Sequence, residues 1–360
     1  MRRLVAVFAL VAAACSPGGP STTTVGPVTT TLPTTTRTAA SSTTTPQTPV
    51  RFSTVELTDG ERGWGITEDG RVLRTVDGGT GWIDVTPPGL PDVAVADFVA
   101  DRAWVITGAG EVWIGGDGGA TWERTAIPLE EGFTILDVAF ADSERGWVLL
   151  AAPGGAGTIP NAVVATDDGG RSWRVVVVPP ADADTVALQS GHSSGLAVTV
   201  GGRVWVTKEA GPRPEGWLAV SADGGRSWTE RVVTVDGGEF CGTGSPVVDG
   251  IAFGAVIVEC GDDGSFFAMT GDDGRTWEVA PLPGSAIGLI LAEDGAVAWG
   301  RRLFQTIEPP GGWEARWEFP AVPSSLSMPD AVHGLAVVGG ELWRTDSGGA
   351  SWEPVAAVTG

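Results

Sequence analysis

From about residue 52 onward, short apolar runs alternate with Asp–Gly turns along the whole chain. Runs such as Leu218-Ala219-Val220 and Phe266-Phe267-Ala268-Met269 are hydrophobic at successive positions, not at alternate ones. A strand covered on both faces reads that way. Each run leads into a polar stretch that closes on Trp. The clearest is Thr166-Asp167-Asp168-Gly169-Gly170-Arg171-Ser172-Trp173, and the pattern Ser/Thr-x-Asp-x-Gly-x-Ser/Thr-Trp returns as Ser221 to Trp228 and Thr270 to Trp277. In a tight turn between strands, an Asp carboxylate accepts backbone N–H groups a few residues on. Gly supplies a backbone angle that other residues adopt at a cost, and the closing Trp carries apolar surface into the core.

Looser copies bracket these three. Trp82 closes a stretch with Gly81 in the hydroxyl position, and Trp122 closes one that keeps Asp117 but lacks the first hydroxyl. Trp313 closes the decayed Thr306-Ile307-Glu308-Pro309-Pro310-Gly311-Gly312, and Trp352 closes a copy in which Ser347 replaces the Asp. The seven Trp markers lie about 36 to 55 residues apart, a period typical of stacked repeat units. A second signal precedes the boxes in the same phase. Glu61-Arg62-Gly63-Trp64 recurs as Glu144-Arg145-Gly146-Trp147, and more weakly as Asp101-Arg102-Ala103-Trp104 and Val332-His333-Gly334-Leu335. Short, Gly-bounded, β-rich runs between these landmarks read as strands, four to each period. The expectation is an all-β protein, a seven-bladed β-propeller of four-stranded antiparallel blades. Strand phase runs from an innermost strand near Ser53 to an outermost one near Val358, so the ring is expected to close without strand exchange. On this reading Asp77, Asp117, Asp168, Asp223 and Asp272 fix turns, and Trp82, Trp122, Trp173, Trp228, Trp277, Trp313 and Trp352 anchor the core.

The boxes resemble the Asp-box (BNR) repeat. Together with the Arg-Gly-Trp signal and the count of seven, they resemble the photosystem II assembly and stability factor family, over roughly residues 52 to 358. That resemblance implies an extracytoplasmic protein that binds membrane-protein intermediates. The family's arginine-rich patch has no convincing match in this sequence. Asp-box propellers include enzymes and non-enzymes, so the motif speaks to fold more than to function.

The N-terminus places the propeller outside the cytoplasm. Arg2 and Arg3 precede an apolar run from Leu4 to Ala14, too short to span a bilayer, as in a secretory signal. Val11-Ala12-Ala13-Ala14-Cys15 resembles a bacterial lipoprotein cleavage site, with Ala12 where Leu is usual. Residues 1–15 are read as that signal with Cys15 lipidated; the alternative is ordinary cleavage after Ala-x-Ala. Residues 16–50 are almost wholly Thr, Ser, Pro, Gly and Ala, a composition without the apolar surface to fold. This linker reaches up to ~100 Å when extended and tethers a propeller over 51–360. In an oxidising compartment the two remaining cysteines, Cys241 and Cys260, are expected to form a disulfide.

Charge and composition then exclude several functions. A formal net charge of −22 argues against binding nucleic acid. Sialidases use a Tyr nucleophile, and this chain has no Tyr. A Ser/His/Asp group would need His192, in a Ser/Gly loop, or His333, in the position of the Arg-Gly-Trp arginine. No Lys-Ser/Thr follows the Gly-rich boxes, so they are not phosphate loops. Two Cys and two His do not suggest a metal site. No cofactor, metal or catalytic residue is therefore assigned.

Two loops look expanded on the face opposite the boxes, Ala152 to Pro160 in blade three and Gly201 to Gly216 in blade four. Cys241, in an inter-blade loop, falls on the same side. Insertions concentrate function, so Trp205, Lys208, Arg213 and Trp217 form the candidate partner surface. The expected function is a non-catalytic, lipid-tethered, monomeric propeller at the cell surface that binds a protein or assists assembly. The alternative is an envelope propeller that binds or hydrolyses carbohydrate.

Overall fold

The structure, a computed structural model, describes residues 49–356 apart from short segments at 129–130, 154–160, 178–192, 200, 209–215, 237–240, 250–252, 261–263 and 293–294. Cys15, the linker up to residue 48, His192 and Arg213 lie outside the described residues.

Seven antiparallel sheets of four strands follow one another along the chain, each in simple up-and-down order. The chain is a seven-bladed β-propeller. First strands of successive blades pack side by side around the centre: Phe52–Leu57 of blade one touches Ser325–Ser327 of blade seven, and Val93–Val99 of blade two touches Thr134–Phe140 of blade three. The last blade consists wholly of C-terminal strands and the first wholly of N-terminal ones. The ring therefore closes by packing, with no strand exchanged. Hydroxyls seal that seam. Ser325 Oγ accepts the Val55 N–H at 3.1 Å and donates to the Val55 carbonyl at 3.0 Å, and Ser327 Oγ accepts the Leu57 N–H at 3.0 Å.

The core is divided among the seams between blades. Buried side chains fall into seven apolar layers, each shared by two neighbouring blades. Trp104 and Ile106 of blade two meet Phe140, Val148 and Val164 of blade three. Phe52 and Leu57 of blade one meet Leu335 and Val337 of blade seven. A blade is covered on both faces by its neighbours, which is why its central strands carry continuous apolar runs. The third strands Asn161–Thr166 and Gly216–Ser221 are buried at every position.

Candidate functional site

The Asp boxes are self-contained hydrogen-bonded turns. In blade three, Thr166 Oγ1 donates to Asp168 Oδ1 (2.8 Å) and accepts the Gly170 N–H (2.9 Å). Asp168 in turn accepts the N–H of Ser172 on Oδ1 (2.8 Å) and its hydroxyl on Oδ2 (2.6 Å). These donors, with the Ser172 hydroxyl foremost, hold the Asp168 carboxyl below its ordinary range. Gly169 and Gly170 sit at φ +74° and +89°, a region that favours glycine. The same circuit joins Thr75, Asp77 and Gly79 in blade one, Ser221, Asp223 and Ser227 in blade four, and Thr270, Asp272 and Thr276 in blade five. The closing tryptophans are buried or half-buried, and Trp228 donates its indole N–H to Gly225 within its own box (2.8 Å).

The degenerate boxes keep the turn by other means. Ser347 does the work of Asp in blade seven, accepting the Ser351 N–H at 3.0 Å, while Thr345 Oγ1 accepts the Gly349 N–H at 3.1 Å. In blade six Thr306 Oγ1 donates to the Gly311 carbonyl and Trp313 donates to the Pro310 carbonyl at 2.6 Å. Blade two has no hydroxyl at Gly115, and Asp117 opens a short 3-10 turn instead.

A second turn on the same face escaped the sequence reading. Asp59 accepts the N–H groups of Glu61 and Arg62 and pairs with the Arg62 side chain. Asp142 does the same with Glu144 and Arg145, and Asp330 with Val332 and His333. The arginine of the Arg-Gly-Trp signal is thus a clamp on an Asx turn. The signal that finds it is an Asp three residues before the Arg or His. His333 is held to Asp330 by its Nδ1 at 2.9 Å, a structural role.

Near the centre, two further carboxylates join neighbouring blades. Asp97 Oδ2 accepts the Phe140 N–H at 2.6 Å, and Asp137 Oδ2 accepts the Leu196 N–H at 2.8 Å. Burial outweighs these hydrogen bonds at Asp137 and pushes its carboxyl up to about 6.

Of the predicted partner surface, Trp205, Lys208 and Trp217 are buried, and Arg213 lies outside the described residues. Val204–Lys208 is the second strand of blade four, where the sequence reading placed a loop from 201 to 216. Trp205, Lys208 and Trp217 are 1%, 0% and 3% exposed. Trp205 packs edge-on to Trp277 of blade five. Lys208 Nζ bonds Asn161 Oδ1 of blade three (2.8 Å) and Ser193 Oγ of blade four (2.9 Å), and lies 5.5 Å from the Trp217 ring centre. Burial draws its amine down to about 7, against the pull of Glu230. A charged residue at the end of an apolar run reads as solvated in sequence, but here neighbouring blades cover it. These three residues form part of the seams. The expected disulfide is present, and Cys241 stands directly across from Cys260 as the first residue of Cys241–Asp249, not in a loop.

Among the described residues no cluster of His, Cys, Asp or Glu has metal-binding geometry, and no helix is long and apolar enough to cross a membrane. A recess of about 220 Å³ lies where the chain joins blades one and seven, lined by Val50, Phe52, Leu342 and Val355. It is smaller than the ~300–1,000 Å³ of ordinary ligand clefts.

These features define a repeat protein in which the box carboxylates and hydroxyls hold turns, while Asp97, Asp137, Ser325 and Ser327 tie neighbouring blades together. No protein-family model matches the chain. It is 24% identical over 298 residues to the photosystem II assembly lipoprotein Ycf48 of Synechococcus sp. (strain CC9902), a match spanning 69% of this chain and 82% of that protein. Among solved structures it resembles YCF48 bound to D1 peptide, with a TM-score of 0.61, 15% identity, and coverage of 84% of this chain and 93% of that one. YCF48 from Cyanidioschyzon merolae gives a TM-score of 0.59 at 16% identity, with 84% and 97% covered.

Proposed function

We propose that this chain is a non-catalytic, extracytoplasmic propeller that holds a segment of another protein and assists its assembly. The observation that carries this reading is the likeness, over most of the propeller, to an assembly lipoprotein and to a solved structure with a bound peptide. The built-in chemistry agrees. The box carboxylates Asp168, Asp223 and Asp272 are saturated by hydrogen bonds within their own turns, so they are not poised as acids or bases. The signal-like residues 1–15, ending on Cys15, and the Thr/Ser/Pro linker support a lipid tether. The disulfide fits an oxidising compartment.

Site-specific photocrosslinking in the native envelope tests the reading, with the crosslinker placed in turn on the box face and on the opposite face of the full chain. The expected result is a discrete protein adduct from one face. Retention of glycan alone, with no protein adduct from either face, would overturn it.

A further inference from the structure

The box face over blades six, seven and one carries two features that the fold itself does not require. Three large apolar side chains stand exposed there: Ile307 at 75%, Val76 at 55% and Val332 at 45%. Ile307 and Val76 occupy the second position of their boxes, where blades three, four and five have Asp167, Ala222 and Gly271. The turn therefore does not ask for an apolar residue. The three lie on consecutive, touching blades. The His333 ring, next to Val332, packs against Gly60, and the Gly60 carbonyl lies beside Gly78 in the box that bears Val76. On the other side, Gly349 of blade seven rests on Leu303, in the strand that runs into Ile307.

The turns of blades six, seven and one on this face also carry Asp59, Glu61, Asp77, Glu308, Asp330 and Asp346. Arg62 pairs with Asp59 at 2.7 Å, Arg344 with Asp346 at 2.8 Å and His333 with Asp330 at 2.9 Å, which leaves Glu61, Asp77 and Glu308 as the acids of this face without an ion pair among the described residues. An acidic rim around separate apolar knobs selects a partner of opposite charge with apolar anchors. A second copy of this chain is disfavoured, because a symmetric contact would set this rim against itself in a molecule of net charge −22. Anionic lipid is repelled for the same reason.

We propose that the box face over blades six, seven and one docks a cationic segment of a partner protein, with Ile307, Val332 and Val76 receiving its apolar side chains. The proposal rests on the protein-binding reading above and adds the place and the chemistry.

The test is fluorescence anisotropy on the full chain with three labelled synthetic peptides. One carries Lys and Arg around Leu and Phe, one keeps the charge but replaces the apolar residues by Ser, and one keeps Leu and Phe but carries Glu. Only the first is expected to bind well, the other two about tenfold or more weaker, with affinity falling as salt rises. The pairs Ile307→Ser with Val332→Ser and Glu61→Lys with Glu308→Lys are each expected to weaken binding by about tenfold while leaving the thermal transition in place, since these positions are exposed. Equal binding of all three peptides, or unchanged binding by both variant pairs, would refute the proposal. So would concentration-dependent self-association of the wild-type chain that is lost in Ile307→Ser with Val332→Ser, which would make the face a self-contact. Envelope adducts that persist in both variant pairs would leave the scaffold reading standing and remove this face from it. Absence of any protein adduct would instead sink the scaffold reading, whatever the peptides do.

Discussion

The indole N–H of Trp104, in the second strand of blade two, donates to the carbonyl of Gly169 in the box of blade three at 2.8 Å. Trp147 makes the same bond one blade on, to Gly224 at 3.0 Å, and Trp64 reaches the Ala100 carbonyl of blade two at 3.1 Å. The Trp of the Arg-Gly-Trp signal therefore couples each of these blades to the next. The box is the receiving end of an inter-blade bond as well as a turn. Phe140 stacks on Trp104 with ring centres 3.7 Å apart, so one side chain supplies both packing and registration.

Replacing Trp104 separates those two contributions. Trp104→Phe keeps part of the apolar volume but orphans the Gly169 carbonyl, at an expected cost of about 1–2 kcal/mol. Trp104→Ala also opens a cavity and is expected to cost about 3–5 kcal/mol. Denaturant midpoints at constant slope would measure both. Equal losses would mean that the hydrogen bond, not the packing, dominates.

The box carboxylates predict an acid limb. Hydrogen bonds from Thr276, its backbone N–H first and its hydroxyl second, bring Asp272 down to about 2. A depressed carboxyl binds its proton more weakly in the folded state, so its contribution is complete above the ordinary value near 4. It is lost as pH falls from there towards 2. Thermal melts of Asp272→Ala are expected to show a shallower decline over that window than the wild-type chain, with the difference closing at the acid end.

Asp137 predicts the opposite slope. Its carboxyl is raised to about 6 by burial, so the folded chain holds a proton that the unfolded chain releases between about pH 4 and 6. This group alone makes the protein more stable as pH falls through 6, the gain being complete below about 4. Allowing for partial solvent access, the effect amounts to about 1–2 kcal/mol. In Asp137→Asn that component of the pH profile should disappear. A profile unchanged between pH 4 and 6 would show that the carboxyl titrates normally.

The disulfide closes a loop of 19 residues between facing positions of the first two strands of blade five. Loops of this size give about 3 kcal/mol in the chain-entropy account. Cys241→Ala combined with Cys260→Ala is expected to lower stability by about 2–4 kcal/mol while keeping the fold, because both small side chains sit inside an otherwise apolar seam. Circular dichroism and a denaturant series would check fold and cost separately. Loss of the blade-five sheet would mean that the bridge specifies the pairing as well as stabilising it.

The sequence by itself determined the number of blades, the strands in each, and the turns that join them. Those features close within a few residues. The bond from Thr166 Oγ1 to Asp168 spans two positions and that from Ser172 to Asp168 spans four, so their pattern survives in linear order and repeats with the blade. The turn at Asp59 was equally local and readable, three residues from Arg62. Tertiary structure alone decided what crosses the seams. Trp104 finds its acceptor 65 residues away, Asp137 finds Leu196 59 away, and Lys208 finds Asn161 47 away. No linear spacing encodes such contacts, because they depend on which faces two sheets bring together. For that reason Trp205, Lys208 and Trp217 read as a loop surface and proved to be interior. The exposed Ile307, Val332 and Val76, scattered along the chain, come onto consecutive blades only when the ring closes.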